Sequence, residues 1–147
     1  MTQKVMLTFQ GLQTDQGGED AGQIETVVSG DYYERNDKHY VIYEEVTEGF
    51  EQPIRNRLKF SEDMVELTRS GPINVHMVFQ ENKKNLTSYN TPFGQILMGI
   101  DTKNIQIQEQ ENHIIVEVEY SLDAGGEFLS ECHLKIDICS QNNSSHL

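Results

Sequence analysis

The chain has 147 residues, of which 24 are Asp or Glu and 11 are Lys or Arg, giving a formal net charge of −13. That length suits one domain able to bury a real core, while the charge repels phosphate backbones and anionic lipid, so neither nucleic acid nor a membrane surface is expected as a partner. No apolar run approaches the roughly 18–20 residues of a membrane span and the amino end lacks a signal-peptide pattern, so a cytoplasmic protein is expected.

Apolar residues alternate along nearly the whole chain, and no window carries a sustained helical spacing. Val5, Leu7 and Phe9 alternate with Met6, Thr8 and Gln10, after which the Gly-, Asp- and Gln-rich residues 13–23 read as a loop. Residues 24–34 read as a strand; Arg35, Asn36 and Asp37 turn it into a return over residues 38–45, a hairpin. Residues 47–53 read as a loop. Ile54, Asn56, Leu58 and Phe60 then face away from Arg55, Arg57 and Lys59, one core side and one wet side.

Residues 61–63 turn the chain into a strand whose Val65, Leu67 and Arg69 share a face, and Pro72 ends that run. Val75, Met77 and Phe79 line one side of the next strand, residues 81–85 read as a turn, and residues 86–90 lead to the break at Thr91, Pro92, Phe93 and Gly94. Ile96, Met98 and Ile100 alternate, Thr102, Lys103 and Asn104 shift the register, and Ile105 and Ile107 continue to a polar turn at residues 108–112. Ile114, Val116, Val118, Tyr120 and Leu122 form one face, residues 123–126 turn, and Phe128, Cys132, Leu134, Ile136 and Ile138 return.

About ten strands joined by short turns favour an all-β, antiparallel up-and-down meander closed into a barrel of about 8–10 strands. A Greek-key sandwich would need more long connections than residues 13–23 and 47–53 supply. Residues 3–139 are expected to form a single domain and residues 140–147 a flexible tail. Cys132 and Cys139, seven positions apart, are about 23 Å apart along an extended strand and on opposite faces, so both are expected as free thiols.

Several runs carry a family resemblance as a set: Gly30-Asp31-Tyr32-Tyr33, Tyr43-Glu44-Glu45, Leu67-Thr68-Arg69-Ser70-Gly71, Met77-Val78-Phe79, Tyr89-Asn90-Thr91-Pro92-Phe93-Gly94, Thr102-Lys103-Asn104 and Glu117-Val118-Glu119-Tyr120. Their order and spacing over residues 3–138 resemble the YwiB-like family of small bacterial proteins of unknown function. The resemblance implies a calycin-like, lipocalin-like β-barrel and brings no reaction, cofactor or catalytic residue.

Arg69 shares the apolar face of Val65 and Leu67, so its guanidinium is expected inside the barrel, where it needs an anion. Glu44 is the first candidate, but both faces of that strand are equally apolar and periodicity does not choose between Glu44 and Glu45. Two readings follow. Arg69, with Glu44, Tyr43, Tyr89, Met77, Phe79 and Tyr120, lines an interior site for a small amphipathic or acidic molecule, the planar guanidinium suiting a carboxylate or phosphate. Alternatively an Arg–Glu pair ties strands together in a filled barrel that acts through its exterior or as a homodimer, pairing being the commoner fate of a buried charge.

Catalysis is not expected, although a site assembled from distant strands is not readable from sequence. Adjacent Glu44 and Glu45 point to opposite faces and do not share a substrate. His39, His76, His113, His133 and His146 show no metal spacing along any strand, so no metal is expected. No nucleophile elbow, Gly-rich phosphate loop or other cofactor motif is present, and no cofactor is expected.

Overall fold

The protein is described by a computed structural model covering residues 3–14, 20–46, 49, 51–72, 74–91 and 94–141. These residues form ten strands: β1 (Gln3–Thr14), β2 (Asp20–Arg35), β3 (Lys38–Glu45), β4 (Ile54–Ser61), β5 (Met64–Ser70), β6 (Val75–Gln80), β7 (Lys83–Thr91), β8 (Gly94–Gln110), β9 (His113–Ala124) and β10 (Glu127–Ser140). They make one antiparallel sheet in the order β6-β5-β4-β3-β2-β1-β10-β9-β8-β7, in which the first and last strands pair from Val5 opposite Ser140 to Thr14 opposite Glu131. The meander therefore curls into a nearly closed barrel. No helix among the described residues is long and apolar enough to cross a membrane.

The alternation read from sequence becomes the two sides of the wall. Leu7, Val41, Leu58, Phe60, Val65, Phe79, Val116, Val118 and Ile136 are almost fully buried inside, while Glu44, Arg55, Arg57 and Glu119 lie on the wet face. The aromatic β2–β3 hairpin divides its rings between the two: Tyr43 is buried, whereas Tyr33 and Tyr40 stack on each other with ring centroids 4.8 Å apart and Lys59 over the outer ring. Cys132 is buried and Cys139 half-buried, both free thiols on opposite faces of β10.

The strands run longer than apolar content suggests. Residues 13 and 14 and residues 20–23 belong to β1 and β2, so the expected loop over 13–23 is overturned at those positions, and residues 15–19 lie outside the described residues. The turns at 81–85, 108–112 and 123–126 likewise tighten to two residues, because a backbone ladder continues past the core wherever the partner strand is there to receive it. Left-handed residues make these turns possible: Asn36 and Asp37 have φ of 54° and 63°, Asn82 61°, Asn112 64° and Gly125 and Gly126 61° and 87°. The register shift at Thr102–Asn104 occurs as expected. The tail expected over residues 140–147 is corrected at its start, since Ser140 closes β10, pairs with Val5 and is buried; residues 142–147, and residues 92 and 93 of the expected break, lie outside the described residues.

Closure is incomplete at one seam. β6 and β7 are consecutive, yet they end the sheet on either side without a ladder between them. Their turn instead docks on β8: Asn82 N donates to Thr102 O at 3.0 Å and Ile105 N donates to Glu81 Oε2 at 3.1 Å, occupying backbone groups around the bulge. Side chains bridge the gap that follows, Thr87 Oγ1 donating to His76 O at 3.1 Å. The barrel thus keeps two facing edges that the expectation of full closure did not include.

Gly30 shows how tightly the wall packs. A Cβ there would stand 2.8 Å from Leu7 Cδ1 and 3.0 Å from the carbonyl oxygen of Ile42, and the latter is backbone that cannot give way. Gly11 has open space at the same point. Gly30→Ala should destabilise the protein by about 1–3 kcal/mol, read as a thermal midpoint several degrees lower, whereas Gly11→Ala should be neutral or slightly stabilising through the unfolded chain. Equal midpoints for the two variants would contradict this packing.

Candidate functional site

The inner faces of β3, β4 and β5 each bring one polar residue to the same end of the barrel. On β3, His39, Val41, Tyr43 and Glu45 share the inward face, so the choice left open by sequence resolves to Glu45. Glu44 points outward, its carboxylate 4.0 Å from Arg55, and does not join the site; cross-strand pairing of Glu44 with Arg55 and of Glu45 with Ile54 fixes which is which. On β4, Asn56 replaces an apolar residue between Ile54 and Leu58 and is buried. On β5, Arg69 stands directly across from Asn56.

These three form a connected group. Arg69 Nε donates to Asn56 Oδ1 at 3.1 Å, and Arg69 Nη2 lies 3.4 Å from both carboxylate oxygens of Glu45. Asn56 Nδ2 in turn donates to Ile54 O at 3.3 Å. The side chains of Arg69 and Glu45 keep 24% and 30% of their exposure, so the pair is half-buried and its contacts are long for a charge-assisted bond, which prefers about 2.7–2.9 Å. This geometry is loose.

Arg69 and Glu45 line a half-open cavity of about 200 Å³ at this end of the barrel, formed by inward-facing residues. Arg69, Glu45, Tyr43 and Thr26 contribute the polar lining, and Phe9, Val28, Leu67, Phe79 and Leu134 are among the apolar walls. Tyr43 packs against Phe9 at 5.4 Å between ring centroids, and burial, with the Glu45 carboxylate adding to it and Arg69 opposing it, pushes its phenol above the ordinary tyrosine range. The hydroxyl therefore stays a neutral donor at any physiological pH.

Of the residues expected from sequence, Arg69, Tyr43 and Phe79 meet at this cavity. Met77 and Tyr120 pack against the core beside it, Tyr120 edge-on to Phe79 at 4.8 Å. Tyr89 lies on β7, but its side chain is outside those described. Sequence reasoning passed over Asn56 and Phe9 as site residues. Asn56 carried the same signal as Arg69, a polar residue on an apolar face, and the two announce each other only once the strands are in register.

At the opposite end His39 is buried, its Nδ1 2.6 Å from the Tyr32 hydroxyl and its ring stacked 4.8 Å from Phe60. His76 is exposed beside Glu66. On the outer face, His113 Nε2 and Cys139 Sγ both bond to Asp137 Oδ1. Burial, and then the carboxylate beside it, push the Cys139 thiol up to about 11, which removes it as a free nucleophile.

Comparison with known proteins agrees with this architecture. The family described as Domain of unknown function (DUF1934) matches residues 7–136. A curated relative, the uncharacterized beta-barrel protein YwiB of Bacillus subtilis (strain 168), is 27% identical over 124 residues, 84% of each chain. The crystal structure of the ywiB protein from Bacillus subtilis is similar with a TM-score of 0.82 at 22% identity, covering 95% of this chain and 92% of that one, a likeness of fold. With the match spanning nearly all of the barrel, this chain belongs to the DUF1934 family of β-barrel proteins whose function is unknown.

Proposed function

We propose that this is a non-enzymatic, cytoplasmic binding protein that takes a small amphipathic molecule, its acidic head at Arg69 and its apolar body in the barrel cavity. One observation carries the reading: a cavity of about 200 Å³ with mainly apolar walls has a half-buried guanidinium at one side. Among the described residues, Nε and Nη2 of Arg69 have protein acceptors, which leaves part of its five-donor fork for a guest. The volume is below the roughly 300–1,000 Å³ of drug-sized pockets, which favours a short-chain guest. Glu45 holds Arg69 at 3.4 Å and can yield to a ligand carboxylate that approaches more closely. The calycin-like likeness read from sequence fits the same use by analogy.

Octanoate, a carboxylate on a short apolar chain, is the probe. Calorimetric titration should give saturable binding to the unmodified protein and a loss of about 10–100-fold in affinity for Arg69→Leu, the equivalent of a hydrogen bond to a charged group. The thermal midpoint of that variant should fall by only a few degrees, since Glu45, left without its partner, keeps 30% of its side-chain exposure and stays in contact with water. Absence of binding, or collapse of cooperative unfolding in Arg69→Leu, would instead favour the contrasting reading of a filled barrel held together by the Arg69–Glu45 pair.

The two glutamates give a second expectation. Glu45→Gln removes the resident competitor and should tighten octanoate binding several-fold, whereas Glu44→Gln, altering a carboxylate on the outer face, should leave it unchanged. Weaker binding in Glu45→Gln would contradict displacement of Glu45 by the guest.

A further inference from the structure

A second cluster, on the outside of the barrel, is independent of the cavity. His113 opens β9 and stands directly across from Cys139 of β10, and Asp137 is two residues before Cys139 on the same face of that strand. One donor atom from each of the three lies within 4.8 Å of the other two. His113 Nε2 is 2.6 Å and Cys139 Sγ 3.3 Å from the same oxygen, Asp137 Oδ1. All three side chains are half-buried, so they are held by the sheet while one side stays open to water.

We propose that His113, Asp137 and Cys139 form a three-donor site for a zinc-class divalent cation, with a fourth coordination position open to solvent. The donor set selects the metal: imidazole and thiolate suit zinc and its neighbours, whereas magnesium and calcium require oxygen cages. In a tetrahedral zinc site with bonds of about 2.0–2.3 Å, ligand atoms sit roughly 3.3–3.6 Å apart, so the thiol–carboxylate spacing already fits, the imidazole needs to withdraw from the carboxylate by less than roughly 1 Å, and the imidazole and thiol, within 4.8 Å of each other, close to the same range by side-chain rotation. Binding replaces the shared protons by the cation: the thiol proton leaves to solvent, the imidazole binds through Nε2 as the neutral tautomer that keeps its one proton on Nδ1, the Nε2 proton being exchanged through solvent, and the carboxylate stays ionised. Spacing along single strands conceals this site because its closest pair of donors comes from two strands that meet only through register.

A rival cluster joins Glu34, His39 and Glu109 at the same end of the barrel, with His39 Nε2 3.7 Å from Glu109 Oε2. It offers no sulfur, and its glutamates are exposed, so it serves as the comparison in the test.

The test is a cobalt(II) titration of the reduced full chain, followed by absorption. One equivalent should produce thiolate-to-cobalt charge-transfer absorption, which zinc(II) then abolishes by displacement. Cys139→Ser should lose the charge-transfer band, and His113→Gln should weaken zinc binding at least about tenfold in competition with a chromophoric chelator; Cys132→Ser should retain both. Circular dichroism checks that each variant is folded, and either of the two ligand variants suffices. The proposal is overturned if no charge-transfer band appears, if the band follows Cys132 rather than Cys139, or if zinc affinity falls only in His39→Gln and so belongs to the rival cluster.

Discussion

The antiparallel ladder between the two ends of the chain, β1 against β10, is the constraint on which the molecule depends. Every other pairing in the sheet joins strands that are neighbours in sequence, and local hairpins could form them singly. The β1–β10 ladder brings together residues more than a hundred positions apart, from Val5 with Ser140 to Thr14 with Glu131, and so carries the largest loop-closure cost of any contact in the fold. Once it forms, Leu7, Phe9, Ile136 and Ile138 become one inner wall, and the two halves of the meander face each other across a common core. The cavity exists because of it, since Phe9 and Leu134 on these strands confront Arg69 and Glu45 on the far side.

Within that cylinder the polar residues gather at an end rather than in the middle. The centre is filled by Leu58, Phe60, Val65, Val116 and Val118, where a charge would have no water and no partner. Arg69 and Glu45 occupy positions where the wall opens, with Asn56 buried beside Arg69, and each supplies a partner for another. The contacts between Arg69 and Glu45 are longer than the short, well-aligned bonds from which a charged pair gains most. The same economy appears at the β6–β7 seam, where side-chain bonds from Thr87 and Glu81 cover backbone groups that a ladder would otherwise satisfy.

Much of this is written in local patterns, and the remainder depends on register. Alternation places Val65, Leu67 and Arg69 on one inward face without knowledge of any other strand. The hairpin at Asn36 and Asp37 follows from two residues that tolerate positive φ. Glu44 and Glu45 could not be separated that way, because Tyr40, Ile42 and Glu44 alternate as well as Val41, Tyr43 and Glu45; only the pairing of β3 with β4 decides. Asn56 beside Arg69 and His113 beside Cys139 are cross-strand neighbours, and no spacing along one strand reports them. The extensions of β1, β2 and β8 into polar sequence were hidden for a related reason, since a ladder stabilises backbone that has no apolar side chains to advertise it.

Native-state hydrogen exchange, followed residue by residue, tests the central role of end-to-end closure most directly. Amides within the β1–β10 ladder should exchange only through global unfolding and show the protection of the full folding free energy, while amides of β6 and β7 along the seam should exchange earlier through local opening. Ladder amides exchanging as fast as those at the seam would contradict the account, because the barrel would then open where it is held to be joined.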